Sequence, residues 1–195
     1  MYLHNIFSNL LCVDTLEINN TDLEIFAQEL QRTTDGRKYT NRGGWQSEFI
    51  DEMPEVQLLV EEINSRLDAL RFNINYKDEL NLKIESMWVN INHQYSYNAP
   101  HIHPDSYMSG VYYVKVPEYS GDLVLKHPSN LQPIFTPRDV LKSYNEQNCS
   151  KWNISPQAGQ LVIFPSWIEH EVTQNLSGED RISFAFNTSF YKSEQ

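Results

Sequence analysis

The order of patterns along this chain predicts an α+β domain that is mainly β, with helices at the front packed on a β-sandwich or barrel. Three observations carry that expectation. Apolar residues recur at helical spacing in two segments before residue 72, and short runs of β-branched and aromatic residues take over after about residue 80. No helical pattern separates those later runs, which disfavours a doubly wound α/β sheet.

In 21-TDLEIFAQELQR-32, Leu23, Phe26, Ala27 and Leu30 share one helical face. Thr21 precedes the pattern and Glu24 stands three residues on as a capping partner. A second helix is expected to begin near Pro54, with Val56, Leu59, Val60, Ile63, Leu67 and Leu70 recurring through 54-PEVQLLVEEINSRLDALR-71. Between the two, 33-TTDGRKYTNRGGWQS-47 reads as a long Gly-bearing loop. Strands are expected in 82-LKIESMWVNI-91, 109-SGVYYVKV-116, 121-GDLVLKH-127, 160-QLVIFPSW-167 and 181-RISFAFNTSFY-191, with 117-PEYSG-121 and 175-NLSGED-180 as turns. Alternation in the last strand puts Arg181, Ser183, Ala185 and Asn187 on one face, and Ile182, Phe184 and Phe186 on the other as core. The whole chain, 1–195, is expected to form one domain, with 1–80 as a helical support region and 81–195 as the β core.

Composition narrows the partners. With 195 residues, 40% of them hydrophobic and 12% aromatic, the chain can bury a substantial core. Its formal net charge of −11 argues against a nucleic-acid backbone or an anionic membrane as partner. No apolar run approaches the roughly 20 residues that span a bilayer. The opening MYLHNIFSNLLCVD has neither a basic leader nor a small-residue cleavage site. Cys12 and Cys149 have no metal-like spacing, so a reducing, cytoplasmic setting with thiols kept as small hydrophobes is expected.

The chemistry concentrates in 101-HIHPDSYMSGVYYV-114. His103-Pro104-Asp105 is an H-x-D triplet just before a strand, and His170 follows 161-LVIFPSW-167. Two adjacent strands would bring these ends together as two imidazoles and a carboxylate, the facial set that leaves three positions open on a non-haem iron. The bland alternative is an Asx-type turn at Asp105. Arg181 opens a strand eleven residues after His170, beside the Ser183 hydroxyl, and a fixed guanidinium can hold a carboxylate bidentately. Its alternative is a surface ion pair with Glu179 or Asp180. H-x-H-x-D from His101 to Asp105 also matches the start of the metallo-β-lactamase motif, but Ser106 stands where that motif needs a histidine, and the αββα pattern is missing.

The combination H-x-D…H…R-x-S resembles the Fe(II)/2-oxoglutarate-dependent oxygenase superfamily. More narrowly, HIHPDSYMSGVYYV, GQLVIFPSWIEHEV and RISFAFN, together with GWQS (44–47) and W-V-N (88–90), resemble a small family of 2-oxoglutarate oxygenases from bacteria and phages. The resemblance implies a double-stranded β-helix, or jelly roll, with N-terminal helices packed on the sheet. It implies Fe(II), 2-oxoglutarate as cosubstrate and O2. The expected reaction hydroxylates a peptidyl, amino-acid or small-metabolite substrate with release of succinate and CO2, in a bacterial or phage-infected cytoplasm. A homodimer is compatible with it; nucleic acid and membrane are not expected as partners. Carried over residue by residue, His103, Asp105 and His170 match the iron ligands, and Arg181 matches the partner of the distal carboxylate of 2-oxoglutarate, with Ser183 assisting. Ser109 and Tyr113, four residues apart on one strand face, fit the same carboxylate, and Asn90 fits the cosubstrate or the substrate. Trp167 and 94-QYSYN-98 fall near the expected pocket mouth. The family block is better defined at H-x-HP than at the acid after the proline. His101 is therefore the alternative ligand to Asp105, and otherwise lies just beyond the ligands or faces substrate. The rival expectation is a non-catalytic, cupin-like jelly-roll binding or structural protein.

Overall fold

A computed structural model describes residues 1, 2, 4, 8–129 and 138–193. In chain order its elements are β1 (Cys12–Thr15), α1 (Asn20–Thr33), β2 (Asn41–Arg42), β3 (Trp45–Gln46), a 3-10 turn (Pro54–Val56) that runs into α2 (Gln57–Ile74), β4 (Leu80–Asn92), β5 (Tyr97–His101), β6 (Met108–Lys115), β7 (Leu123–Lys126), a 3-10 turn (Arg138–Val140), β8 (Lys151–Ile154), β9 (Gln160–Pro165), β10 (His170–Val172) and β11 (Arg181–Lys192). Among the described residues one sheet has the order β1-β9-β6-β11-β4-β3 and the other β2-β5-β10-β7-β8. From β4 onward the chain alternates between the sheets, except that β8 follows β7 in the same one. The two four-stranded cores are β9-β6-β11-β4 and β8-β7-β10-β5, all antiparallel, which is a double-sheet jelly roll.

Local chemistry sets the supports. The first helix is capped two residues earlier than the sequence suggests. Asn19, not Thr21, has extended backbone angles (φ −71°, ψ 94°), and its side chain accepts from the Thr21 N–H at 3.1 Å. Thr21 is already helical, and Glu24 instead accepts from Lys115 Nζ at 3.2 Å, tying the helix to β6. The second helix ends at Asn75, whose left-handed φ of 64° closes the last turn. Leu23 and Ala27 of α1 and Leu59, Ile63 and Leu67 of α2 share one cluster with Met87, Val89, Tyr112, Leu161, Ile163, Phe184 and Phe186 of the larger sheet. No helix among the described residues is long and apolar enough to cross a membrane. Cys12 and Cys149 are unpaired and half-buried.

The larger sheet therefore has two unlike faces. Its outer face is the apolar cluster just described, and Gly110 helps it close, because a Cβ there would sit 2.7 Å from the Val162 carbonyl oxygen. Its inner face, turned to the smaller sheet, is built in rows, because cross-strand partners share a face. One row runs Gln46, Asn90, Ser183, Tyr113 across β3, β4, β11 and β6. The next is Trp88, Ala185, Val111, Val162, and the third Ser86, Asn187, Ser109, Phe164, the last two rows ending on β9. A second cluster, including Val162, Phe164, Leu123, Leu125 and Ile168, fills part of the space between the sheets. The remainder is open.

Candidate active site

The open part of the sandwich is a cavity of about 300 Å³. Its walls include His101, His103 and His170 from the smaller-sheet side and Asn90, Ser109, Tyr113, Arg181, Ser183 and Asn187 from the larger sheet. The residues that the alternation of β11 assigns to a polar face, Arg181, Ser183, Ala185 and Asn187, all line it.

Three imidazoles meet at one end. His101 and His170 are directly opposed in the β5–β10 pairing, and His103 follows two residues after His101, where the strand has ended. Ring centroids lie 4.2 Å apart for His101–His170, 4.9 Å for His101–His103 and 5.0 Å for His103–His170. One ligand nitrogen from each comes within 4.8 Å of the others. The His170 Nδ1 lies 2.9 Å from the Ile168 carbonyl and the His101 Nδ1 2.8 Å from the Ala99 carbonyl, so each Nδ1–H donates to backbone and each Nε2 keeps its lone pair. The Nε2 atoms of His103 and His170 face each other at 3.3 Å. Burial, reinforced by the neighbouring His101, pushes His103 down to about 4 and His170 down to about 3. His101 is lowered mainly by burial. All three are therefore neutral near pH 7, the form that ligates. Asp105 is exposed in the turn that follows His103, with a left-handed φ of 66°, and stands outside this group of three.

At the other end a buried cation borders the cavity. Arg181 is 1% exposed, and one of its terminal nitrogens donates to the Ser120 carbonyl at 2.8 Å. Its Nε has no partner, nor does the buried Tyr113 hydroxyl. Among the described residues no carboxylate pairs with this guanidinium, and the expected alternatives pair elsewhere: Asp180 with His93 at 2.7 Å and Glu179 with Lys115 at 3.5 Å. Burial lowers the Arg181 pKa from its ordinary value, the signature of a cation kept from water. It also pushes Tyr113 up to about 12, so the phenol remains a neutral donor. Two orphaned donors around a buried cation fit a carboxylate, and three neutral imidazoles fit a first-row transition metal.

The remaining sequence candidates distribute as follows. Ser109 lines the cavity, but its hydroxyl bonds Asn187 Oδ1 at 2.9 Å and Ser166 Oγ at 2.8 Å. Asn90 lines it with an unpartnered Oδ1. Trp167 is 57% exposed and is not among the lining residues, whereas Asn98, from the 94–98 segment, is. Sequence reasoning did not single out Gln46, Trp88, Phe49 or Arg37 as site residues; all four line the cavity. The signal for Gln46 and Trp88 lay in the GWQS and W-V-N blocks, which carried the resemblance without a role. Arg37 and Phe49 left none.

Comparison with known proteins agrees with this geometry. The model of a family described as "Putative 2OG-Fe(II) oxygenase" matches residues 86–187, more than half of the chain. No curated protein matches it. Among solved structures, the chain is similar to a Pseudomonas putida prolyl-4-hydroxylase, at 16% identity and a TM-score of 0.60 over 91% of each chain. It is similar to SnoN, a non-haem α-ketoglutarate-dependent epimerase of nogalamycin biosynthesis, at 13% identity and a TM-score of 0.68 over 92% of this chain and 77% of that one. It is also similar to HygX from Streptomyces hygroscopicus, solved with nickel, 2-oxoglutarate and hygromycin B, at 13% identity and a TM-score of 0.59 over 93% and 83%. At these identities the structural likeness is one of fold.

Proposed function

We propose that this chain, which belongs to this family of 2OG-Fe(II) oxygenases, hydroxylates a small-molecule or peptidyl substrate. The observation that carries the reading is the pairing of two ends of one cavity: three neutral imidazoles at one, a buried guanidinium with an unpartnered Nε at the other. The proposed ligands are His101, His103 and His170, with Asp105 as the competing third ligand to His101. Fe(II) held there would, with 2-oxoglutarate as co-reductant and O2 as oxidant, supply the chemistry that hydroxylates a C–H bond, one oxygen atom going to the product and the other to succinate as CO2 is released.

The chain's own residues do the rest. The backbone carbonyls of Ala99 and Ile168 fix the tautomers of His101 and His170, so that both Nε2 atoms are aimed before any metal arrives. Arg181, itself held by the Ser120 carbonyl, and Tyr113 clamp the distal carboxylate of the cosubstrate, with Ser183 beside them. Ser109 acts one step removed, by fixing Asn187. Between the two polar rows of the sheet, Trp88, Ala185, Val111 and Val162 form a dry strip that keeps water from the reacting centre.

Thermal stability tests the reading. Fe(II) with 2-oxoglutarate at a hundred times Kd should add about 2.7 kcal/mol, a Tm rise of about 5–10 °C at this chain length. Arg181→Ala should remove the 2-oxoglutarate increment and His170→Ala the succinate release. No response of the wild type to 2-oxoglutarate overturns the proposal. Iron content then decides the ligands: His101→Ala is expected to lose iron and Asp105→Ala to keep it. The opposite result returns the carboxylate to the set.

A further inference from the structure

The polar row that ends at Tyr113 begins with two buried amides that nothing in the fold uses. Gln46 (6% exposed) and Asn90 (8%) are directly opposed across β3 and β4, and both line the cavity. Asn90 Oδ1 has no hydrogen-bond partner. The Gln46 side-chain amide has none among the described residues; only its backbone carbonyl is used, by the Arg37 N–H. Buried polar atoms are ordinarily satisfied, so the orphaned Asn90 oxygen, with the Gln46 amide open to the same cavity beside it, marks a ligand's polar edge. The pair is also built deliberately into the backbone: a Cβ on Gly44 would sit 2.8 Å from the Ile91 carbonyl oxygen, so glycine is what lets β3 lie so close against β4.

The cosubstrate does not account for them. Gln46 and Tyr113 are separated by three inter-strand steps, about 14 Å at the usual spacing. A five-carbon diacid anchored at Arg181 and Tyr113 and reaching the imidazoles does not also cover β3. Gln46 and Asn90 instead sit beside Trp88, which is two residues from Asn90 on β4 and whose ring faces His103 at 5.9 Å and Phe49 at 6.3 Å. That aromatic end of the cavity is left for a substrate.

The free valences also name its chemistry. The cation at this end of the cavity, Arg37, already pairs with Glu48 at 3.2 Å and stacks on the Tyr39 and Phe49 rings at 4.5 and 4.7 Å. Its charge is thus already engaged, unlike that of Arg181. What faces the cavity here is neutral: the buried, unpartnered acceptor on Asn90, and the side-chain amide of Gln46 with its donor and acceptor. A group presenting N–H and C=O side by side matches them, and two flanking aromatic rings suit the apolar flank of the same unit. We infer that Gln46 and Asn90 bind a secondary amide of the substrate, so that the enzyme acts on a peptidyl or N-acylated amino-acid unit rather than on a free acid or a hydrocarbon. The inference rests on the oxygenase reading above, and deepens it.

The test loads the full-length protein anaerobically with Fe(II) and 2-oxoglutarate. It titrates N-acetyl-amino-acid N-methylamides with apolar, aromatic and prolyl side chains, read by quenching of tryptophan emission. At least one should bind saturably, and Gln46→Leu should weaken it tenfold or more. Gln46→Glu, of the same size but without the amide donor, should weaken it as well. The Kd for 2-oxoglutarate, measured by thermal shift, should stay within twofold in both variants, which also shows that they fold. If no member binds to protein that binds 2-oxoglutarate, or if both variants bind as wild type does, the inference is overturned. Tighter binding of the free N-acetyl amino acids than of their N-methylamides overturns it too, in favour of an acidic substrate. Wild-type protein that fails to bind 2-oxoglutarate defeats the oxygenase reading first, and this inference with it.

Discussion

The two faces of the larger sheet are made by the same strands and have opposite character. Along β11, Ile182, Phe184 and Phe186 point outward and are at most 1% exposed, packed under α1 and α2 with Phe26 stacked on Phe184 at 6.4 Å. The alternating Arg181 and Ser183 are nearly as buried, at 1% and 4%, yet they border a cavity, and Arg181 leaves its Nε unpartnered. Burial alone therefore does not distinguish core from site. What distinguishes them is whether the buried atoms are satisfied. An unpartnered guanidinium nitrogen, phenol and amide oxygen on one face are costs the outer apolar layer must offset, and on the proposed reading ligands complete them.

The sharpest way to break this contrast is to truncate one residue from each face. Phe184→Ala should cost about 3–5 kcal/mol, a fall in Tm on the order of 10 °C, because the cavity left between sheet and helices collapses only in part. The Kd for 2-oxoglutarate of the folded fraction should hardly change. Tyr113→Phe should behave in reverse. Its hydroxyl is buried without a partner, so removing it should leave the stability of the metal-free protein within about 0.5 kcal/mol of wild type or slightly above it. Losing a hydrogen bond to a carboxylate should weaken 2-oxoglutarate by about tenfold or more, 1.5 kcal/mol upward. Paired urea melts and 2-oxoglutarate titrations measure both. A stability loss in Tyr113→Phe as large as that in Phe184→Ala would make the inner face ordinary core.

The same contrast explains what could be read from the residues alone. Strands β4, β6, β7, β9 and β11 announce themselves, because each buries a full apolar face and so alternates or runs apolar. Strands β2, β3, β5 and β10 are two to five residues long and polar, and exist because neighbours offer them hydrogen bonds. That is why the place of His101 was ambiguous: its position opposite His170 depends on the β5–β10 register, which no pattern in YNAPH specifies. Asp105 was legible as a carboxylate near a histidine, but the left-handed backbone that turns it toward solvent is a property of the Pro104–Asp105 turn. Arg181 was legible because its strand is long enough for alternation to fix its side. Gln46 was not, since two residues of β3 carry no period.

The smallest effect is expected where the outer layer is tied at its rim. Arg66 of α2 bonds Asp14 of β1 at 3.0 Å, and both side chains are about a third exposed or more, at 31% and 43%. The Arg66 hydrogen bond, helped by the Thr15 N–H, holds the Asp14 carboxyl below its ordinary pKa. A carboxyl with a lower pKa in the folded than in the unfolded chain contributes stability that is present above the unfolded value, about 3.9, and is lost as pH falls through the folded one. Solvent screening keeps the contribution small, so Asp14→Asn should cost about 0.5 kcal/mol at pH 7 and less in 1 M salt. The deficit should shrink below about pH 4 and vanish once Asp14 is protonated in both states. Urea melts of the two proteins across that range measure it. A deficit that persists at low pH would mean that Asp14 supports β1 through something other than its charge, and that the rim of the outer layer is held as its centre is, by packing.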